Sequence, residues 1–406
     1  NDRFYETGDP TFRLGRGYAV QAEADKGTAP YTKDYLFRGT PNNGDISFNI
    51  IKSSPTEFVH GYNLVGNPYP SNIKFDELYA GNSGLIYNTA WFWKNTTYTQ
   101  YQQGSGYNGN NYAVYNGTGG LDAAAVPTGV SYNATIPNGI IKVGQGFLVQ
   151  KKVLGTAPLN FKHFYTSGNK LRVSDTGEFF QKDATGKNRY WLSLLSPSNL
   201  MNSQLIGYVA GATDEYERDY DAEAFSLSSD LFYSVLPTKR LLIQGKSEAF
   251  TDEDKVTLGA NFFQNGTYTI ALENVEGIFN GSQNIYLKDK QEGIITNLSQ
   301  GSYTFVATKA DNATRFEIIY KPETILATGD GTKDDLVVYR NGGDFVVKSQ
   351  SKKIDTIELY DTAGRLIYST QPKNKEALIP AEKLINSVYV LKIKRGGEIS
   401  TKKLVR

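Results

Sequence analysis

The chain has 406 residues, with 43 Lys and Arg against 42 Asp and Glu, two histidines and no cysteine. A formal net charge of +1 leaves no broad field of the kind polyanion binding uses, so no nucleic acid partner is expected, and without thiols there are neither disulfides nor thiolate metal sites. His60 and His163 stand too far apart to suggest a multi-histidine zinc site or a Ser-His-Asp arrangement, and no run approaches the roughly 18 apolar residues of a membrane-crossing helix.

Aromatic residues make up 13% of the chain, with 28 tyrosines beside 40 glycines, a mixture that favours strands and turns over helices. The first residues, NDRFYETGDPTFRLG, have no basic stretch followed by an apolar one, so they do not read as a signal peptide. They read as mid-domain sequence, and we expect a processed or partial chain.

The first organisational feature is an internal echo: Gly15-Arg16-Gly17-Tyr18-Ala19-Val20-Gln21 returns as Gly144-Gln145-Gly146-Phe147-Leu148-Val149-Gln150. Each copy reads as a glycine turn feeding an alternating strand; a phosphate loop is disfavoured, because no third glycine and no helix follow. Between the copies, Gly66-Asn67-Pro68-Tyr69-Pro70-Ser71 reads as a rigid corner, with Ser71 or Asn72 placed to cap a helical turn through Asp76-Glu77-Leu78. Trp91 and Trp93 then share one strand face, which suits either a stacking platform for a sugar ring or a piece of core. The stretch Gln102 to Gly120 is a Gly/Asn/Tyr-rich loop of the kind where binding concentrates.

A second unit is expected from Leu171, with strands at Tyr190 to Leu195, Leu205 to Val209, Leu241 to Gln244, Gly266 to Ile270, Gly301 to Phe305 and Arg315 to Tyr320. Its acidic loop, ATDEYERDYDAEAF, carries Asp214, Asp219 and Asp221, hard oxygen donors that could hold calcium, although the glycine and final glutamate of an EF-hand loop are missing. A solvated loop is the plainer reading, and paired carboxylates of a glycosidase are a further one. Calcium is the one cofactor the residues suggest.

The stretch KPETILATGDGTKDD reads as a linker, and three hairpins follow it, turning at Asn341-Gly342-Gly343, Thr362-Ala363-Gly364 and Gly396-Gly397. From Lys333 to Arg406 there are 15 basic and 9 acidic residues, net +6, which leaves −5 for the rest. The closing hairpin, with Tyr389, Leu391 and Ile393 on one face, is unusually well made for a chain end. The expected fold is therefore all-β: two β-sandwich-like modules over residues 1–170 and 171–321, a linker over 322–332, and a small Ig-like β-sandwich over 333–406.

The last unit resembles the type A carboxy-terminal sorting domain of the type IX secretion system of Bacteroidota. The resemblance rests on Ile357-Glu358-Leu359-Tyr360-Asp361-Thr362-Ala363-Gly364-Arg365-Leu366-Ile367, on Val388-Tyr389-Val390-Leu391-Lys392-Ile393, on Gly396-Gly397 and on Lys402-Lys403-Leu404-Val405-Arg406. Ser387 departs from it, standing where that family usually has glycine. The upstream units are similar to regions found ahead of such domains in flavobacterial surface and secreted proteins, with the G-N-P-Y-P-S corner and the Gly144-Gln145-Gly146-Phe147 strand recurring. This likeness implies a cargo exported through the periplasm and across the outer membrane to the cell surface or medium, with a translocon and a shuttle β-barrel as partners. It also implies a contact through Lys402, Lys403, Leu404, Val405 and Arg406, shaped by Gly364, Tyr389, Gly396 and Gly397. On this reading the chain is a non-enzymatic, adhesin-like display protein. The alternative is a glycan-binding accessory region of an exported glycoside hydrolase, using Trp91 and Trp93 on surface glycans.

Overall fold

The structure is a computed structural model, and it describes residues 11–20, 36, 38–56, 60–94, 111–124, 136–163, 170–173, 186–225, 229–322, 336–382, 384–385 and 387–406. Most of the Gly/Asn/Tyr-rich loop and nearly all of the expected linker lie outside these residues. The protein is all-β, built from several sheets with a single short α-helix among the described residues.

The first unit holds β1 (Ile46–Lys52), β2 (Tyr62–Gly66), β3 (Asn72–Lys74), α1 (Phe75–Ala80), β4 (Ile86–Trp93), β5 (Tyr112–Asn116), β6 (Gly120–Leu121), β7 (Ile140–Ile141), β8 (Gly146–Lys151), β9 (Gly155–Phe161) and β10 (Arg172–Val173). A five-stranded sheet β2-β8-β4-β5-β6 packs with the β1-β9 ribbon and the β10-β3-β7 ribbon around Val65, Phe75, Phe92, Phe147 and Phe161. Both copies of the glycine echo dock on β2: Gly66 pairs with Gly146 on one edge, and Arg16 bridges to Val65 on the other.

The G-N-P-Y-P-S corner is structural. Asn67 donates to Ser71 O at 2.8 Å and accepts from the Tyr69 amide at 3.0 Å, while Tyr69 is buried with its hydroxyl 2.7 Å from Gly44 O. Neither Ser71 nor Asn72 caps α1. Ser71 instead accepts from Arg172 and Asn72 from the Val143 amide, and the helix begins at Lys74 without a side-chain cap. Leu171 belongs to this first core and β10 pairs with β3, so the second unit begins later than Leu171.

The second unit comprises β11 (Asn188–Leu195), β12 (Met201–Val209), β13 (Ala222–Glu223), β14 (Leu231–Leu236), β15 (Lys239–Ser247), β16 (Lys255–Phe262), β17 (Gly266–Glu276), β18 (Tyr286–Asp289), β19 (Ile294–Asn297), β20 (Tyr303–Ala307) and β21 (Ala310–Ile319). One ladder runs β20-β17-β11-β12-β15-β14-β16-β21-β18-β19, and side chains of β20 meet those of β21 and β18 in the core, Phe305 against Phe316 and Tyr303 against Asp289. Tyr190, Leu192, Ile206, Tyr268, Phe305 and Phe316 fill the core it encloses.

The burial patterns explain the sequence patterns. β20 alternates buried and exposed along YTFVA, as a half-buried strand must. β11 is buried along most of its length because it is covered on both faces: Tyr190 and Leu192 enter the sandwich, while Trp191 turns the other way to meet the first unit.

The third unit comprises β22 (Leu336–Asn341), β23 (Asp344–Ser349), β24 (Thr356–Asp361), β25 (Leu366–Thr370), β26 (Glu376–Ile379), β27 (Val388–Arg395) and β28 (Glu398–Val405). Its four-stranded sheet β25-β24-β27-β28 faces β22-β23-β26 across a separate core of Leu336, Val347, Leu359, Tyr389, Leu391 and Leu404. The β22 strand also pairs in parallel with β19 at Thr296↔Arg340 and Asn297↔Asn341, so the long ladder continues from the second unit into the third.

Candidate functional site

Two places gather the residues singled out in the sequence. The first is the closing hairpin. β27 and β28 pair from Val388↔Val405 to Arg395↔Glu398, leaving a two-residue turn in which Gly396 has φ +50° and Gly397 φ +89°. Positive φ at both positions is the type I′ geometry that matches strand twist and that side chains resist, which accounts for the glycine pair. The Gly396 amide donates to Asp355 at 2.7 Å, tying the turn to the start of the neighbouring strand β24. Gly364 has φ +79° in the β24-β25 turn, where Asp361 accepts from the Ala363 and Arg365 amides at 3.0 and 2.8 Å. These donors, with the Arg365 guanidinium, hold the Asp361 carboxyl below its usual range.

The strand period divides the candidate contact residues. Tyr389 and Leu404 sit opposite one another and are buried in the core, so in the folded unit they serve packing and offer no contact surface. Lys402 is half-buried opposite Leu391, while Lys403 is exposed with its Nζ 3.5 Å from Glu292 of the second unit. The Arg406 amide donates to Ser387 O at 3.1 Å, so Ser387 closes the ladder through its backbone. Val405 pairs with Val388 at the ladder end. Lys392 reaches Glu358 at 3.1 Å on the outer face, and this hydrogen bond holds the Glu358 carboxyl below its usual range.

The second place is the acidic loop, which is not simply solvated. The loop is a clamp between the first two units. Asp219 accepts from the Asn88 amide at 2.7 Å and from Tyr79 Oη at 2.9 Å, with Lys152 at 3.4 Å. Asp221 is buried and accepts from the Glu217 and Gly245 amides, while Asp214 turns away to Lys246 at 2.7 Å. The three carboxylates therefore point to three different partners. No group of three or more potential metal ligands occurs among the described residues, and these three do not converge on a calcium ion.

Arg218 spans the junction, donating to Gln150 at 2.9 Å and lying over the Tyr87 ring at 5.1 Å. Thr118 donates to Tyr220 O at 2.7 Å, Trp191 Nε1 to Gly120 O at 2.8 Å, and Arg189 to Thr118 O at 2.9 Å. Burial pushes the Asp221 carboxyl up to about 7, against its two amide bonds and with help from the charges of Glu217 and Glu223.

Trp91 and Trp93 do not form an exposed pair. Trp91 is 5% exposed and packs with Tyr62 and Phe225 in the core shared by the two units, while Trp93 is 42% exposed and packs edge-on against Tyr112 at 5.1 Å. The strand face they share passes from covered to open between them, because the second unit covers only the first part of β4.

The profile of a family described as a domain of unknown function (DUF8693) matches residues 2–320. The chain belongs to this family. The DUF8693 region spans both units joined by the acidic loop, and a second profile, described as a domain of unknown function (DUF8694), matches residues 326–406 and so covers the third unit. No curated protein matches the chain.

Sequence reasoning missed two features. The partners of Asp219 lie 67 to 140 residues away, and nothing local announces them. Arg315, joined to Asp289 at 2.8 Å and 5% exposed, gave no signal either, since Thr314 precedes it and the charges of Asp311 and Glu317 share its strand.

Proposed function

We propose that the protein is a cargo of the type IX secretion system, an adhesin-like cell-surface or secreted display protein whose residues 333–406 direct export. The observation that carries this reading is the third unit's separate core behind a type I′ hairpin, with the family-like motifs at its turns and at its last strand. A unit with its own core can serve as an address independent of what precedes it. The partners on this reading are the outer-membrane translocon and its shuttle β-barrel, and the route runs through the periplasm. The first two units, clamped together by Asp219 and Arg218, serve as a rigid body for display.

The test uses the full chain in a bacterium that has this system. Lys402→Ala/Lys403→Ala/Arg406→Ala keeps the core residue Leu404, so the hairpin stays folded. Export to the surface or medium is expected to fall sharply with the thermal unfolding midpoint unchanged; undiminished export would refute the contact. A second reading, glycan binding in an accessory region of an exported enzyme, is favoured only by the exposed ring of Trp93 beside Tyr112. Loss of glycan-array binding in Trp93→Ala is its test.

A further inference from the structure

Side chains of β20 meet the paired strands β18 and β21 across the core of the second unit, where a buried ion pair joins β21 to β18. Arg315 donates from Nε and Nη2 to Asp289 at 3.1 and 2.8 Å, and Tyr303 of β20 donates to the same carboxylate at 2.9 Å. Phe305 and Phe316 pack beside the guanidinium, their ring centres 4.5 and 5.0 Å from it and 5.1 Å from each other. Asp289 is fully buried, so this charge is matched from within the protein.

Among the described residues Nη1 makes no hydrogen bond, and Arg315 lines a half-open cavity of about 140 Å³. This is close to the volume at which a benzene-sized guest enters a protein cavity. Its walls divide by chemistry. Phe262, Ala307 and Ala310 are apolar, whereas Gln291, Thr308 and Asn312 bring polar groups beside Arg315. Asn312 accepts from the Thr314 amide through its Oδ1, which leaves its Nδ2 to donate.

We propose that this cavity binds a short-chain carboxylate, its oxygens accepting from Arg315 Nη1 and a neighbouring amide donor and its apolar tail lying against Phe262 and Ala307. A planar guanidinium fixed on one edge by Asp289 and packed beside the rings of Phe305 and Phe316 is pre-oriented for a second carboxylate on its free edge. Because Asp289 already balances Arg315, the attraction comes from directed hydrogen bonds more than from net charge, and millimolar affinity follows.

Butyrate is the probe, with butyramide and butanol as uncharged controls, in ligand-observed NMR titrations of the full chain. Saturable butyrate binding is expected, with butyramide about tenfold weaker because it lacks the charge-assisted bonds. Thr308→Trp, on the exposed turn at the mouth, abolishes it without entering the core, and Ala307→Leu fills the tail site from within. Unchanged amide dispersion in Thr308→Trp shows the fold intact. The proposal is overturned if butyrate does not saturate the wild-type chain, if butyramide binds equally well, or if Thr308→Trp binds butyrate as tightly as wild type.

Discussion

Where the first unit meets the second, a shared apolar core of Trp91, Val114, Leu121, Trp191, Leu205 and Ile243 is ringed by the bonds of Asp219, Thr118, Arg189 and Arg218. Where the second meets the third, there are two parallel backbone pairs, the Asn297 to Asn341 side-chain bond at 2.9 Å, the edge-on rings of Tyr286 and Tyr339, and the ion pair of Lys403 with Glu292. The first seam resembles a domain interior and the second a modest docking contact. Units joined by a large core unfold together, whereas units joined by a few bonds and a small apolar cluster such as Tyr286, Ile295, Ile319 and Tyr339 keep separate stabilities. The family matches follow the same division, one spanning both units of the wide seam and another covering the third.

The largest effect is expected from Trp191→Ala, which empties the wide seam and removes the bond to Gly120 O. About 3–5 kcal/mol should be lost in urea unfolding, with the first and second units melting earlier together and the third unmoved. Independent shifts of the first two units would break the contrast between the seams. Asp219→Ala leaves the Asn88 amide and Tyr79 without their acceptor, and about 2–3 kcal/mol should be lost in the same transition.

The wide seam also has a predicted pH dependence. The folded value of Asp221, about 7, lies above its ordinary value of 3.8, so the stability this group contributes is full below about pH 4 and is lost as pH rises through 7. The stability read in the wide-seam transition should fall between about pH 4 and 7, by at most about 1.4 kcal/mol per pH unit, and level off above that, and Asp221→Asn should flatten that slope. A slope unchanged in Asp221→Asn would assign the dependence to other groups. The smallest effect is expected at the narrow seam, where Tyr339→Ala should cost about 1 kcal/mol, read in the third unit's transition alone.

The strands were legible because alternation reports burial directly. YTFVA and VYVLKIKR carry the period of two that the structure repeats, and Gly-Gly pairs mark turns whose φ values other residues resist. The acidic loop was misread for an equally physical reason. A run of carboxylates is ordinarily solvated, and what buries this one is a set of amides and tyrosines remote in sequence. The residues that could have corrected it lie elsewhere: Trp191 and Leu205 stand on strands whose other face is also apolar, and a strand apolar on both faces needs a second cover. Period-two placement of Trp91 and Trp93 gave their common face but not where its cover ends, because that boundary is set by another unit. For the closing hairpin, the sequence marked the glycine turn and the Tyr389 face, while the core role of Leu404 follows only from its pairing with Tyr389.

The measurement that tests the account most directly is export of an inert fluorescent reporter carrying residues 333–406, compared with the same fusion bearing Lys402→Ala/Lys403→Ala/Arg406→Ala, in a bacterium with the type IX system. The account predicts that the first fusion reaches the medium or surface and that the second stays in the periplasm, both folded by hydrogen exchange of the β27-β28 amides. Retention of both folded fusions in the periplasm would contradict it and return the function to the clamped pair of units upstream.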